Sequence, residues 1–441
     1  MKKLYNFFKV KLCYRTYWKQ WLAFLTMCFL VFACGGSEGG SDNPCPNQPQ
    51  LTTLEVSNIG YDENTDLASA TFSGEIQNIQ LGANCETLSI TNQGFVYSTN
   101  IQPTTSDNVV NANGENASAN VSDLIPETTY YVRAYLTNTL GTFYGNEVSF
   151  TTPQSTIPVY LAENGLTIKA RPWAEVGMTG IINGETYIIV DRSMLEIMIE
   201  DEDDISLVCT TRVTNMSLLF AANYTFNVDI SSWDVSNVTD MYRMFMGAID
   251  FDQNLEYWDV SNVTSMEDMF VSAFAFNADI SSWDVSSVTN MNSMFSQASN
   301  FNQPLNNWDV SNVTDMNSMF SQASNFNQPL NNWDVSNVIE MNAMFSGSLF
   351  NQPLNNWDVS NVTEMYGMFG SCPFNQPLNN WDVSNLTDVT LMFFLNTYFN
   401  QDLSGWNVDN VTVCSSFCLG ATNWSLPKPN FTNCSADLGC D

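Results

Sequence analysis

Residues 301–320 read F-N-Q-P-L-N-N-W-D-V-S-N-V-T-D-M-N-S-M-F, and versions of this sentence recur through the second half of the 441-residue chain. Tryptophan marks each copy: Trp233, Trp258, Trp283, Trp308, Trp333, Trp357, Trp381 and Trp406, at spacings of 25, 25, 25, 25, 24, 24 and 25 residues. Residues 296–313 and 321–338 are identical over 18 positions. A period of this size marks stacked supersecondary units, none of which buries its apolar face alone. Stacks of that kind present surfaces to partners, so the pattern points to a binding or structural protein before an enzyme.

Within one unit, Leu305, Trp308 and Val310 have strand-like spacing, with Asp309 facing outward. Val313, Met316, Met319 or Phe320, and Ala323 follow at helical spacing, after a Ser/Asn/Thr cluster suited to an N-cap. One coil is therefore expected to be a short strand, a helix of about two turns and a loop. Stacked coils would place a parallel sheet on one face. In phase with Leu and Val, the tryptophans read as core and not as a sugar-stacking ladder; each would hide roughly 150–250 Å². The methionines read as core filler. Asn227, Asp252, Asn277, Asn302, Asn327, Asn351, Asn375 and Asn400 follow the recurring Phe. They are expected to form an internal ladder satisfying loop backbone groups, the alternative being a ligand-binding row. Asn-Val-Thr at Asn237, Asn262, Asn312, Asn361 and Asn410 matches a glycosylation acceptor and reads as a by-product of the repeat.

The pattern W-D-V-S-x-V-T-x-M-x-x-M-F resembles the 25-residue, Mycoplasma-lipoprotein-type repeat of BspA-like leucine-rich-repeat surface proteins. That resemblance implies a mixed α/β chain: a leucine-rich-repeat-like solenoid with a parallel sheet. It also implies an adhesin or a protein that binds host or matrix ligands.

At the amino terminus, Lys2, Lys3, Lys9, Lys11, Arg15 and Lys19 precede the apolar run 22–33. A basic start and a short apolar core describe a secretory signal over residues 1–33, since a spanning helix needs about 20 apolar residues. Val31-Phe32-Ala33-Cys34 resembles a bacterial lipobox, which implies lipidation of Cys34; the alternative is an ordinary signal with an incidental cysteine. Residues 34–50 form a Gly/Ser-rich tether. It resembles the export signal of Bacteroidetes-type surface lipoproteins, implying an outer-membrane, cell-surface location with the membrane reached through the lipid alone.

Residues 51–153 show short alternating strands near 52–59, 68–76, 94–98, 129–136 and 146–152, as in a β-sandwich. Residues 124–134, L-I-P-E-T-T-Y-Y-V-R-A, resemble the fibronectin type III signature L-x-P-x-T-x-Y-x-V-R-A. An all-β fibronectin type III-like sandwich is therefore expected to precede the repeats, acting as a spacer. Residues 154–212 read as linker and amino-terminal cap, with a helix opened by a Ser193/Glu196 capping box. The repeats occupy 213–421, and a cysteine-containing cap occupies 422–441.

Removing residues 1–33 leaves 7 of the 13 basic residues and all 46 acids, a formal charge of −39. So acidic a chain carries no electrostatic footprint for nucleic acid. The sequence has no histidine, which removes His-based triads and His-ligated metals. Its acids repeat in every coil or scatter, whereas carboxylate catalysis needs one pair in distinct environments. The chain is accordingly expected to be non-catalytic and to need no cofactor. Cys414, Cys418, Cys434 and Cys440 are expected to form disulfides that close the final cap, the alternative being a four-cysteine zinc site whose spacing fits no common zinc pattern, and Cys45 is a candidate partner for Cys85. Asp234, Asp259, Asp284, Asp309, Asp334, Asp358 and Asp382 follow the tryptophans. They read either as carboxylates bonded to the following turn or as a row of weak cation sites, with Ca²⁺ the fitting ion. The expected partner is a protein, matrix component or glycan. Surface or biofilm self-assembly and glycan-binding accessory roles are the alternatives.

Overall fold

A computed structural model describes residues 49–63, 65–77 and 89–440. The chain divides into two compact units, the first holding Leu67–Pro153 with the residues before Asp62, the second Asp62–Asp66 and everything from Gln154 onward. Residues 1–48, with the expected signal, Cys34 and Cys45, lie outside the described residues, as does Cys85.

Eight strands build the first unit: β1 (Gln50–Thr53), β2 (Ser57–Asp62), β3 (Leu67–Gln77), β4 (Asn92–Ser98), β5 (Asn108–Asn111), β6 (Asn116–Leu124), β7 (Thr129–Asn138) and β8 (Gly141–Thr151). They form two four-stranded sheets, one of order β1-β3-β2 with β6 also paired to β3, the other β5-β4-β7-β8. Alternation drives the burial: in β3, Ala68, Ala70, Phe72 and Ile76 point inward while their neighbours face out. The ring of Phe72 lies 6.1 Å from that of Phe95 and 5.8 Å from that of Phe150, joining the two sheets through one aromatic core. Gly94 has no alternative, because a Cβ there would come within 2.2 Å of the Val110 carbonyl oxygen across the β4–β5 pairing. The expectation of an all-β amino-terminal part agrees with this unit.

The second unit begins with the hairpin of β9 (Val159–Leu161) and β10 (Ile168–Ala170). β11 (Thr179–Ile182), β12 (Glu185–Ile189) and β13 (Val208–Cys209) follow, with β12 and β13 parallel. Helix α1 (Arg192–Glu200) separates the last two strands. Its N-cap is Asp191, which accepts from the Met194 N–H at 2.9 Å, so the expected Ser193/Glu196 box is displaced. Glu196 pairs instead with Arg192 one turn back, at 2.7 Å. Leu195, Ile205 and Val208 join the apolar core of the repeats and seal its first layer.

The repeats do not form the expected mixed α/β, leucine-rich-repeat-like solenoid with a parallel sheet. Among the described residues the only helix is α1, which precedes them, and no named strand falls within them. The named sheets are antiparallel except for β12–β13. Successive coils touch through isolated parallel bridges, from Asn215↔Asp240 to Asp388↔Val413. The reason lies in the backbone of the segment read as helical. Ser318 and Gln322 adopt φ of 54° and 57°, and equivalent residues in other coils do likewise (Ser293 54°, Ala343 52°). Left-handed residues at this spacing stop a right-handed helix from propagating.

Hydrogen bonding follows suit. Met316, Ser318, Phe320 and Gln322 donate their N–H groups to Glu340, Asn342, Met344 and Ser346 of the next coil, at 2.6–3.1 Å. Between them, Met319, Ser321 and Ala323 donate three residues back within their own coil. The apolar spacing of three is thus the period of linked turns, not of an α-helix. Leu305, Trp308 and Val310 are buried as expected, but on turns closed by Trp308 N–H to Leu305 and Val313 N–H to Val310.

Side chains extend this registry as columns. Phe270, Phe295, Phe320 and Phe345 stack with centroids 5.7–5.8 Å apart. A second column runs through Phe276, Phe301, Phe326 and Phe350, and within each coil its ring faces the first column at 3.9–4.0 Å. Cys414 and Cys418 take the core places held by Met316 and Phe320 four coils earlier, and bridge to Cys434 and Cys440. The carboxy-terminal segment is thereby pinned across the last coil. No helix among the described residues is long and apolar enough to cross a membrane.

Candidate functional site

Whatever the repeats offer a ligand must come from side chains that their own architecture does not consume. Trp308 is 3% exposed, and its indole N–H donates to the Ile280 carbonyl of the preceding coil at 3.1 Å. The same bond holds Trp258, Trp283, Trp333, Trp357, Trp381 and Trp406. Those rings are closed to ligands.

The asparagines after the recurring Phe are equally committed. The Oδ1 of Asn302 accepts from the Asn327 N–H at 3.0 Å, and Asn302 donates its own N–H to Asn277 Oδ1 at 2.9 Å. Asp252 serves in the same column, accepting from Asn277 at 2.8 Å. The internal ladder, not a ligand-binding row, is what these residues make. A second ladder escaped the sequence reading. Asn312 Nδ2 donates to the Ser286 carbonyl at 2.8 Å, and Asn237, Asn262, Asn361 and Asn410 act alike. Their recurrence was the available signal, hidden by its match to a glycosylation acceptor.

The aspartates after the tryptophans sit on turns and not on strands. In each of Asp234, Asp259, Asp284, Asp309, Asp334, Asp358 and Asp382, Oδ1 accepts the N–H of the serine two residues on, at 3.0–3.2 Å. The bonded serine, hydroxyl first and N–H second, holds Asp284 and Asp382 below the usual carboxylate range. Among the described residues no group of three or more potential ligands converges as a metal site would require. Each carboxylate belongs to its own turn. Asp234 differs from the rest: it is buried, takes the Thr211 hydroxyl at 2.6 Å and faces Lys169 at 3.5 Å.

A further acidic row, also missed in the sequence, lies at the bridge positions. Asp315, Glu340 and Glu364 accept from the Nδ2 groups of Asn292, Asn317 and Asn342 of the coil before. What remains outward and unconsumed is a set of exposed rings, Tyr224, Phe274 and Tyr398 among them. The Phe274 carbonyl accepts from Asn300 and that of Tyr224 from Asp250, so both rings are mounted on backbone fixed to the next coil.

Stacked turns, columned rings and amide ladders define a repeat protein in which each coil is satisfied by its neighbours. The family described as "Mycoplasma protein of unknown function, DUF285" matches residues 192–287, 253–349, 275–373 and 333–431, together more than half of the chain. The chain belongs to that family. No curated protein matches it.

Proposed function

We propose that this chain is a bacterial cell-surface lipoprotein, anchored in the outer membrane through Cys34, whose repeats bind a protein or matrix ligand without catalysing a reaction. The observation that carries the reading is the set of exposed aromatics on fixed coils: Tyr224 is 60% and Tyr398 62% exposed. Rings of this kind anchor protein interfaces, giving large contact area for little lost side-chain entropy. Export is supported by the two disulfides of the last coil, which persist in oxidising compartments. The lipobox-like residues 31–34 and the following tether support the anchor.

Two finer resemblances belong to the same proposal. The hydroxyl of Tyr130 accepts from the Ile125 N–H at 3.1 Å, a corner contact that supports a fibronectin type III-like sandwich. The W-D-V-S repeat supports kinship with BspA-like surface proteins in display and ligand binding. Leucine-rich-repeat geometry is no part of that kinship.

Palmitate labelling and surface biotinylation of intact cells test the anchor: both signals should be present in the native chain and lost in Cys34→Ala. Adhesion of those cells to matrix-coated surfaces tests the binding. Tyr224→Ala with Phe274→Ala should reduce it severalfold, and adhesion unchanged by the pair would refute the aromatic face.

A further inference from the structure

The first two coils differ from the rest where the β9–β10 hairpin meets them. A cavity of about 240 Å³ opens there, lined by Glu163, Lys169, Trp233, Asp234, Tyr257 and Asp259 among others. Tyr257 breaks the repeat. The residue before the tryptophan is Asn in the coils of Trp308, Trp333, Trp357 and Trp381, Ser before Trp233 and Trp283, and Gly before Trp406. Only here is it aromatic, and its ring is 46% exposed.

The polar groups around that ring retain capacity. Lys169 has an ammonium with three protons. Its neighbours are Asp234 Oδ1 at 3.5 Å and Ser236 Oγ at 3.4 Å, both long for a charge-assisted bond. Asp259 spends one oxygen, Oδ1, on the Ser261 N–H and hydroxyl at 3.2 and 2.6 Å. Among the described residues, its Oδ2, the Glu163 carboxylate and the Tyr257 hydroxyl have no hydrogen-bond partner. The buried Asp234 stands beside the lysine as its counter-charge.

We propose that this cavity binds one neutral sugar unit, the end of a glycan. A sugar hydroxyl both donates and accepts, and the wall offers both: carboxylate acceptors on Glu163 and Asp259, a cationic donor on Lys169. The half-exposed ring of Tyr257 supplies the platform against which the C–H face of a pyranose packs. Asp234 neutralises Lys169, so the lysine can serve as a donor without making the site a pure anion trap. The volume lies below the roughly 300–1,000 Å³ of drug-sized sites, which suits a single ring and not a buried chain. The site stands whether or not the chain is displayed on a cell surface.

Saturation-transfer NMR on the full chain with methyl glycosides of glucose, galactose, mannose and N-acetylglucosamine tests it. At least one should receive saturation at its ring protons. Tyr257→Ala and Asp259→Asn should each weaken binding about tenfold or more, while Asp309→Asn, the same turn position in a coil far along the sequence, should leave it unchanged. Asp259→Asn retains the Oδ1 acceptor of its turn, so it reports on the cavity even should Tyr257→Ala fold poorly. No transfer to any glycoside, equal binding by both variants, or a response to tetramethylammonium chloride alone would overturn the proposal.

Discussion

Trp308 combines burial, ring stacking and a hydrogen bond in one side chain: its ring lies parallel to that of Trp283 at 6.5 Å while its N–H reaches Ile280. Trp308→Ala should therefore destabilise the protein by about 3–5 kcal/mol, as other large-to-small core changes do, read from chemical denaturation. The buried thiols allow a second test. Burial pushes Cys372 up to about 12, well above an ordinary thiol, and raises Cys209 as well. Thiolate is the reactive form, so neither should be alkylated by iodoacetamide at pH 8 until the protein is unfolded; prompt labelling in mass spectra would contradict the burial. For the aspartates the sign is fixed by direction. Asp284 and Asp382 have lowered folded values, so their contribution is complete above the unfolded value of about 3.9 and fades as pH falls through the folded one. Stability should drop on acidification below about pH 4, and Asp284→Asn with Asp382→Asn, which keep the turn acceptor, should flatten that limb in pH-dependent melts.

At the level of the element, the Asn ladder shows what the repeat demands at one position. Asn302→Leu leaves the Asn327 N–H without its acceptor, an unmade bond that costs about 1–3 kcal/mol. Asn302→Asp should be far milder, because Asp252 already fills the column and accepts from Asn277. Equal losses for the two variants in thermal melts would mean the amide acts by packing alone. The same column shows how much was readable beforehand. Periodicity identified the inward residues, Leu305, Trp308, Val310 and the phenylalanines, since burial depends only on which positions are apolar. It misjudged the backbone, because a spacing of three fits both a helix and linked turns. Left-handed Ser318 and Gln322 separate those options, and neither residue type announces that conformation. Of the cavity, Trp233, Asp234 and Asp259 were read as members of the repeated rows, and Tyr257, a break in the pattern, was passed over; Lys169 and Glu163 reach it through a hairpin that no repeat predicts.

At the scale of the whole molecule, one apolar core runs from Val190 through the repeats to Trp424, beside a smaller cluster around Val159, Ile168 and Cys209. A stack so built has two vulnerable ends. Helix α1 covers one; at the other, Cys414–Cys434 and Cys418–Cys440 close loops separated by 20 and 22 residues. Chain-entropy reasoning assigns about 3 kcal/mol to each loop of that size. Reduction should lower the unfolding midpoint and expose the last coil first, seen as proteolytic trimming near residue 420 before cleavage elsewhere. Simultaneous loss of every coil on reduction would show that the stack melts as one unit.

The contacts between coils have one more implication, in the currency of inheritance. Residues 296–313 and 321–338 are the same 18 letters, and the coil at Trp308 meets the coil at Trp333 through the same bonds that join Trp283 to Trp308. Duplicate stretches in a gene invite strand slippage, and here a slip of one period adds or removes a coil without creating a junction the protein has not already built. The length of the stack is thus a trait that recombination can adjust in whole steps while the two closed ends stay as they are.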